Sequence, residues 1–246
     1  MFNNPVGVAK LKIGVCIQSD DYPDPLAAPC GTINNRGATS REAELKSLKV
    51  KLNKTAPLGK WRGRRDIIFI KAPWDTARIR NALAYELLSG IDGFIGIGVA
   101  YVHLFVDDRD FGLYQIVEDL NEEYLVNHSL GRNDFLLKAD DFEWRPPKIG
   151  YVPNGDNPLN LEWLDAKVGN NTTERFDETV SITTALRDAI DNKDCAAAEA
   201  VIAQFIDVES LTTFIAINTV MLEYDVLNHN FLIYRSADGG KWSHQF

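Results

Sequence analysis

The sequence has few of the residues that mark a metal-binding, disulfide-rich or nucleic-acid-binding protein. Its 246 residues include three cysteines, four histidines and no C-x-x-C pair, which argues against a zinc site. Acidic residues outnumber basic ones, 35 to 26, for a formal net charge of -9, so we expect no nucleic-acid-binding surface. No apolar run approaches the roughly 18 residues of a membrane span. What remains is a globular protein with an ordinary hydrophobic content of 45%.

The few cysteines leave two alternatives open. Cys16 and Cys30 could form a disulfide in an oxidising compartment, which would leave Cys195 free, or all three could be reduced thiols. Four Asn-x-Ser/Thr triplets, the pattern that accepts N-linked glycans, also occur. They begin at Asn53, Asn127, Asn170 and Asn171. Such triplets also arise by chance, so these residues do not decide the compartment.

Apolar residues at every second position predict an antiparallel sheet in the N-terminal half. Ser47–Leu52 alternates strictly, with aliphatic residues on one face and Lys49 and Lys51 on the other, which is typical of a half-buried strand. Further strands are predicted at residues 10–17, 32–36, 66–70, 101–106 and 111–117, the last two joined in a hairpin.

A helix is predicted from about residue 77 to residue 88, with Asp75 or Thr76 as its cap. Its apolar stripe is expected to consist of Ile79, Leu83 and Leu87, which Ala82 and Tyr85 could extend. Glu86 lies on this helix and could pair with a strand lysine, as a helix Glu does in protein kinases. The alternative is a plain surface residue.

The segment between the second and third predicted strands could hold phosphate oxygens. Gly37 to Ser40 supplies small residues, backbone N–H groups and a hydroxyl, and a lysine-bearing strand follows. The alternative is a solvated basic edge, in which the lysines discourage pairing with another sheet.

The C-terminal part is predicted to contain a long helix starting near Asp207, a polar loop and a hairpin. Asp225 and Asn230 lie on the loop, five positions apart. Protein kinases place their catalytic base and a magnesium-binding Asn on such a loop at that spacing. A solvated loop corner is the alternative. The D-F-G triplet that begins at Asp110 precedes this loop and lies at a predicted hairpin turn, so we reject it as a metal ligand.

Between these regions, helices are predicted at residues 122–130, 178–192 and 195–203, and a strand at 135–138. Residues 140–175 are rich in Pro, Gly, Asn and Asp, which predicts a long loop.

Taken in order, several blocks of the sequence resemble the spore coat protein H (CotH) family of atypical protein kinases. The blocks are Asn35-Arg36-Gly37-Ala38-Thr39-Ser40, Lys46 to Leu52, Arg80 to Tyr85, Phe111 to Glu118, Leu137-Lys138-Ala139, and Asp225 to Tyr234 with Lys241-Trp242. The resemblance implies an α+β, divergent bilobal protein-kinase-like fold. Its small lobe, with an antiparallel sheet, would be residues 1–120, and residues 121–246 would form an incomplete, mainly helical large lobe.

The resemblance also implies an activity, the transfer of the γ-phosphoryl group of ATP to Ser or Thr of a protein substrate, with Mg²⁺ or Mn²⁺. Asp225 would orient and deprotonate the acceptor hydroxyl, and Asn230 would bind the metal. Either Lys46 or Lys51 would reach the phosphates. Further nucleotide-binding residues would be Arg36 and Ser40 at the phosphate-covering turn, with Glu86 on the helix.

The family pattern continues beyond Trp242 into a W-D-x-D-type segment whose Asp binds the metal, and the sequence ends before it, at Phe246. We therefore expect a fragment that transfers little or no phosphate by itself. The competing hypothesis is a non-catalytic coat or cell-surface adhesion protein with the same fold. Extracellular, cell-surface or spore-coat location is what the resemblance favours.

Overall fold

The structure, a computed structural model, describes residues 11–22, 28–37, 39–140, 164–168, 172–221 and 229–245. The chain divides into two compact units. The first unit consists of Met1–Leu87 and Ile97–Asp119, and the second unit consists of Leu88–Gly96 and Leu120–Phe246. Each unit contains an antiparallel sheet and there are helices as well, so the chain is the mixed α+β protein that the sequence predicts.

The first unit is built on a six-stranded antiparallel sheet with the order β1-β2-β3-β4-β6-β5. Its strands are β1 (Ile13–Cys16), β2 (Cys30–Arg36), β3 (Ser47–Leu52), β4 (Asp66–Ile70), β5 (Val99–Val106) and β6 (Arg109–Val117). Cys16 and Cys30 lie opposite each other on β1 and β2 and form a disulfide, whereas Cys195 is free and exposed. Of the two alternatives for the cysteines, the structure contains the disulfide.

The alternation of β3 separates a core face from a polar face. Leu48, Val50 and Leu52 are each at most 3% exposed, whereas Lys49 is half-buried and Lys51 is exposed. Burying an aliphatic side chain of this size contributes roughly 1.5–3 kcal/mol, so the three together fix which face points inward. The core beneath them also contains Tyr22, Ile33, Ala56, Ile67, Phe69, Tyr114 and Ile116.

The helix of this region, α1 (Arg80–Ser89), uses a different apolar stripe from the predicted one. Ala84 and Leu88 are buried, whereas Ile79, Leu83 and Leu87 are each about half exposed, at 52%, 53% and 52%. The predicted stripe is therefore wrong. The two stripes have the same spacing of four residues and differ by a rotation of one position, so periodicity alone could not choose between them.

The start of α1 is set by Asp75. Its carboxylate accepts hydrogen bonds from the backbone N–H groups of Ala77 (3.2 Å) and Arg80 (2.9 Å), and Arg78 has a left-handed backbone with φ of 56°. These turns delay the helix from the predicted residue 77 to Arg80. Asp75 thus bonds the first N–H group of the helix from five positions away, and it is not the adjacent N-cap of the predicted helix.

The second unit contains a four-stranded antiparallel sheet with the order β10-β9-β7-β8. Its strands are β7 (Phe135–Asp140), β8 (Leu164–Val168), β9 (His229–Ser236) and β10 (Gly239–Gln245), and its helices are α2 (Glu122–Asn127), α3 (Thr172–Asp191), α4 (Cys195–Phe205) and α5 (Val208–Met221). β8 and the start of α3 lie within the predicted loop at 140–175, so that prediction is wrong there. Residues 141–163 and 169–171 of that loop lie outside the described residues.

Asp207 caps the N-terminus of α5, which begins where the sequence predicts a long helix. The Asp207 carboxylate accepts hydrogen bonds from the backbone N–H groups of Glu209 (3.1 Å) and Ser210 (3.2 Å). Further along α5, Phe214 packs against Phe231 of β9, with ring centroids 5.4 Å apart. The core around this pair contains Leu137, Ala139, Ile182, Leu186, Ile206, Ile233 and Trp242.

Candidate functional site

The turn between β2 and β3, residues 37–46, is the part of the first unit in which sequence analysis places the phosphates. Arg36 ends β2, and Gly37 follows with φ of 98°, a conformation that favours glycine. A Cβ atom on Gly37 would lie 1.8 Å from the Ser40 hydroxyl. Glycine is therefore required twice, for its backbone angle and for the close approach of Ser40, which lies in the short 3₁₀ helix Thr39–Arg41.

Lys46 closes this turn. Its ammonium group donates a hydrogen bond to the backbone carbonyl of Arg41 at 2.6 Å, and its own carbonyl accepts one from the Tyr114 hydroxyl at 3.1 Å. The side chain is half-buried. An ammonium group has three N–H donors, and the bond to Arg41 uses one of them. The same bond holds the positive charge of Lys46 beside the Arg41 carbonyl.

The other predicted lysine, Lys51, lies toward the opposite end of β3. It is exposed, and its neighbours across the sheet are Thr32 of β2 and Asp66 of β4. It lies five positions from Lys46 along an extended segment, which corresponds to roughly 17 Å. The two candidates therefore occupy different places, and one phosphate group could not contact both.

Sequence analysis missed Lys49, which is the lysine of β3 with acidic partners. Its ammonium lies 2.7 Å from a carboxylate oxygen of Asp119 and 3.8 Å from one of Asp66. Arg36 also interacts with Asp119: burial lowers the pKa of the Arg36 guanidinium, and the charges of Tyr85 and Asp119 oppose that shift. Asp119 is thus paired with Lys49 and adds a negative charge that favours the charged form of Arg36. The alternation of β3 shows that Lys49 lies on the polar face, but only the fold supplies a partner 70 residues away.

Glu118, next to Asp119, is a second acidic residue that sequence analysis did not single out. It is buried, with one carboxylate oxygen accepting from the Gly98 backbone N–H at 2.7 Å and the other 3.5 Å from Arg62. Arg64 is buried nearby, and burial lowers its pKa to about 10, opposed by the charge of Glu118. The Arg64 guanidinium stacks 3.5 Å from the centre of the Trp61 ring and donates to the Val117 carbonyl at 2.7 Å. Glu118 and Arg64 are therefore both held by contacts within the first unit.

Lys71, which follows β4, is also a structural residue. Its ammonium donates to the backbone carbonyls of Phe111 (2.5 Å) and Leu113 (3.2 Å) and lies 4.2 Å from the centre of the Tyr114 ring. Burial lowers the pKa of Lys71, Arg78 lowers it further, and Asp110 opposes both. With two carbonyls and a ring of β6 around it, this ammonium group links the end of β4 to β6.

Glu86 and the D-F-G triplet take surface positions in the first unit. Glu86 is exposed on α1, and its pairing with a strand lysine stays a prediction. Asp110 lies in the β5–β6 hairpin, as predicted, where it accepts from the Gly112 backbone N–H at 2.6 Å and lies 2.6 Å from Nε2 of His103. Those contacts are the turn and cross-strand interactions expected of a hairpin residue.

In the second unit, Asn230 lies near the start of β9. It is exposed, and its backbone has a left-handed φ of 59°, which Asn tolerates better than most residues. Asp225, the predicted catalytic residue, lies outside the described residues. The carboxamide oxygen of Asn230 is of the type that Mg²⁺ accepts as a ligand.

The described ranges contain no group of three or more His, Cys, Asp or Glu residues arranged to hold a metal ion. Nor does any helix within them combine the length and the hydropathy of a membrane-spanning segment.

Comparison with known proteins adds a family. The sequence model of the CotH kinase protein family matches residues 33–245, which include the β2–β3 turn, β3, α1 and the segment that contains Asp225 and Asn230. No curated protein matches the chain.

Proposed function

Because the chain belongs to the CotH kinase protein family, we propose that it is part of an atypical kinase that phosphorylates Ser or Thr of a protein with ATP. The match over residues 33–245 is the observation that carries this proposal. Residues 1–120 would be the small lobe of a divergent kinase-like fold, and residues 121–246 would be part of the large lobe.

The β2–β3 turn is proposed to bind the phosphates of ATP. Phosphoryl transfer needs little covalent help from a protein, so positioning and neutralising the phosphates are the main tasks. Gly37 has no side chain to keep a phosphate away from the backbone, and the Ser40 hydroxyl lies beside it. Arg36 supplies a positive charge at the start of the turn.

Of the two predicted lysines, we assign the phosphate contact to Lys46. Its bond to the Arg41 carbonyl holds the ammonium at the turn, and a group that is already oriented loses little freedom when a ligand binds. Two N–H donors stay for phosphate oxygens. Lys51 lies at the far end of β3, and its side chain is exposed.

Lys49 and Asp119 are proposed to position Arg36. Asp119 pairs with Lys49 at 2.7 Å and interacts electrostatically with Arg36, so the carboxylate prevents the two cations from repelling each other. A half-buried pair of this kind also restricts the guanidinium to one region. Glu86 would be a further contact of a strand lysine, as the family resemblance implies.

Asn230 and Asp225 are assigned to the metal and to the acceptor hydroxyl. The Asn230 carboxamide fits as one oxygen ligand of Mg²⁺ or Mn²⁺, a metal that holds only a few protein ligands beside phosphate oxygens. When bound, the metal would neutralise charge on the transferred phosphoryl group. Asp225 would orient the Ser or Thr hydroxyl of the substrate and accept its proton.

The test uses the full-length natural protein that contains this sequence. We expect metal-dependent ATP binding by calorimetry and phosphate incorporation into protein Ser or Thr. Asp225→Ala should lower the transfer rate by about 100-fold or more, with ATP affinity changed little. Asn230→Ala should weaken ATP binding only when Mg²⁺ or Mn²⁺ is present. Asn133→Ala, an exposed loop residue, is the matched control and should change neither.

Two results would contradict the proposal. Transfer that is unaffected by Asp225→Ala would remove the assigned mechanism, even if the protein is a kinase. A folded protein that binds no ATP with either metal would instead support the non-catalytic coat or cell-surface hypothesis.

A further inference from the structure

Asn53 lies directly after β3, in a turn at the surface of the first unit. Its backbone N–H donates to the Cys30 carbonyl at 2.9 Å, and its own carbonyl accepts from the Ala56 N–H at 2.9 Å. The side chains of Asn53, Lys54 and Thr55 are all exposed, while Ala56 is buried. The backbone of the turn is therefore fixed, and it presents the complete Asn-Lys-Thr triplet to solvent.

The same turn is bonded to a residue of the disulfide. Cys30, whose carbonyl accepts from Asn53, is linked to Cys16. Disulfides persist in oxidising environments such as the secretory pathway and the cell surface and are rare in the cytosol. The secretory pathway is also where Asn-x-Ser/Thr triplets in surface loops receive N-linked glycans. The disulfide and the exposed triplet are chemically independent, and both are typical of a protein that passes through the secretory pathway.

We propose that Asn53 is the acceptor of an N-linked glycan. The donor is an oligosaccharide on a polyprenyl pyrophosphate, brought to the chain by a membrane oligosaccharyltransferase. A bond forms between the side-chain nitrogen of Asn53 and the anomeric carbon of the first sugar, while the bond from that carbon to the pyrophosphate oxygen breaks. The amide nitrogen loses one proton, polyprenyl pyrophosphate leaves, and nothing is oxidised or reduced. Thr55 supplies the hydroxyl that the triplet requires.

The triplet at Asn127 is presented differently. Asn127 is the last residue of α2, and Ser129 has a left-handed φ of 61°. The middle residue, His128, packs on the ring of buried Tyr124, with ring centroids 4.6 Å apart. The triplets that begin at Asn170 and Asn171 start outside the described residues. Among the residues that the structure describes, Asn53 therefore begins the triplet whose three residues are all exposed.

A glycan at this position is compatible with a ligand at the β2–β3 turn. Asn53 follows the last residue of β3, whereas Lys46 precedes the first, and the six residues between them span roughly 20 Å. The sugar would project from the end of the sheet that carries the disulfide. The proposal therefore does not depend on the proposed kinase activity.

The first experiment uses protein isolated from the cells that produce it. The peptide that contains Asn53 is analysed by mass spectrometry before and after peptide N-glycosidase treatment in water labelled with heavy oxygen. We expect a glycosylated peptide that becomes an aspartate-containing peptide with the heavy label. An Asn53 peptide without glycan in this protein would overturn the proposal, as would Cys16 and Cys30 thiols that react with maleimide without prior reduction.

Variants expressed through a eukaryotic secretory pathway identify the acceptor. Asn53→Gln and Thr55→Ala should both lose one glycan, seen as faster migration on gels of total cellular protein. Thr55→Ser, which keeps the hydroxyl, should retain it, and so should the Asn53 peptide of Asn127→Gln. Because the glycan is added during synthesis, the result does not require the variants to fold. Unchanged glycosylation of the Thr55→Ala peptide at Asn53 would contradict the assignment.

Discussion

The two sheets of this protein use their polar side chains in different ways. In the four-stranded sheet, buried Asp134 accepts hydrogen bonds from the backbone N–H groups of Gly131 (2.8 Å) and Ala237 (2.9 Å) and from the Tyr234 hydroxyl (2.6 Å). In the six-stranded sheet, Lys46 holds one carbonyl and remains half-buried. The Asp134 carboxylate is occupied by its hydrogen bonds to Gly131, Tyr234 and Ala237. The bond of Lys46 to Arg41 uses one of the three N–H donors of its ammonium group.

This contrast separates residues that hold the fold from residues that can hold a ligand. Burial raises the pKa of Asp134, but the hydrogen bonds from Ala237, Tyr234, Gly131 and Ser236 together outweigh it, so the pKa is lowered overall. Substitution of Asp134 should therefore act mainly on stability. Substitution of Lys46, at the β2–β3 turn, should act mainly on nucleotide binding.

The largest effect is expected from Asp134→Ala. The substitution leaves two backbone N–H groups and a hydroxyl without their acceptor, and we expect the free energy of unfolding to fall by about 4 kcal/mol. Urea denaturation followed by tryptophan fluorescence measures it. Asp238→Ala, an exposed aspartate on the same hairpin, should change stability by less than about 0.5 kcal/mol. Equal losses in both variants would contradict the role given to Asp134.

His244 should make the second unit sensitive to acid. It is buried against the rings of Phe214 and Phe231, and burial lowers its pKa to about 4, with the charge of Asp207 opposing that shift. The unfolded chain takes up this proton near pH 6.5, so it binds more protons than the folded chain between the two values. Stability should therefore fall as the pH drops from about 6.5 to 4, by up to about 3 kcal/mol.

The variant His244→Phe removes the titrating ring and should flatten the pH dependence of unfolding in that window. His103→Gln, which changes an exposed histidine, should keep the slope of the unmodified protein. If the slope survives in His244→Phe, another group is responsible for it.

Gly37→Ala should cost about 2 kcal/mol of stability, because alanine is strained at a positive φ and its Cβ would collide with Ser40. The double variant Gly37→Ala, Ser40→Gly removes the collision and should recover part of the loss. The matched control is Gly14→Ala, since a Cβ there meets nothing within 4 Å. No loss of stability in Gly37→Ala, measured by urea denaturation, would show that this turn is not rigid.

The smallest effect on stability is expected from Lys51 of β3 and from Lys46, which precedes that strand. Lys51→Ala should change the free energy of unfolding by less than about 0.5 kcal/mol, and Lys46→Ala by about 1 kcal/mol through the lost bond to Arg41. For ATP the order should be clearer: Lys46→Ala weakens binding by about tenfold, as expected for a charged hydrogen bond, and Lys51→Ala leaves it unchanged. Calorimetry with ATP and Mg²⁺ checks this, and the reverse order would move the phosphates to Lys51.

Sequence periodicity identified β3 and β4 to the residue and the β5–β6 hairpin to within two residues, because strict alternation and a polar turn leave few alternatives. It failed for the stripe of α1, since two equally spaced stripes differ only by rotation. It also missed β8, although Leu164–Val168 alternates, because the surrounding residues favour loops.

For the candidate site, the sequence alone located the β2–β3 turn and the lysines of β3. It could not show that Lys49 pairs with Asp119, because that contact joins residues 70 positions apart. The facing positions of Cys16 and Cys30 likewise depend on the register of β1 and β2. Long-range pairings of this kind are set by tertiary structure.

The short segment Leu88–Gly96 belongs to the second unit but is synthesised in the middle of the first. The Gln245 side chain accepts from the Ile95 N–H and donates to the Gly93 carbonyl, across 150 and 152 positions of sequence. On the ribosome, Gly93 and Ile95 must therefore wait for Gln245 until nearly the whole chain has emerged. A piece that starts at residue 120 would also lack these partners, so any attempt to produce the second unit by itself has to supply Leu88–Gly96 as a graft or a separate peptide.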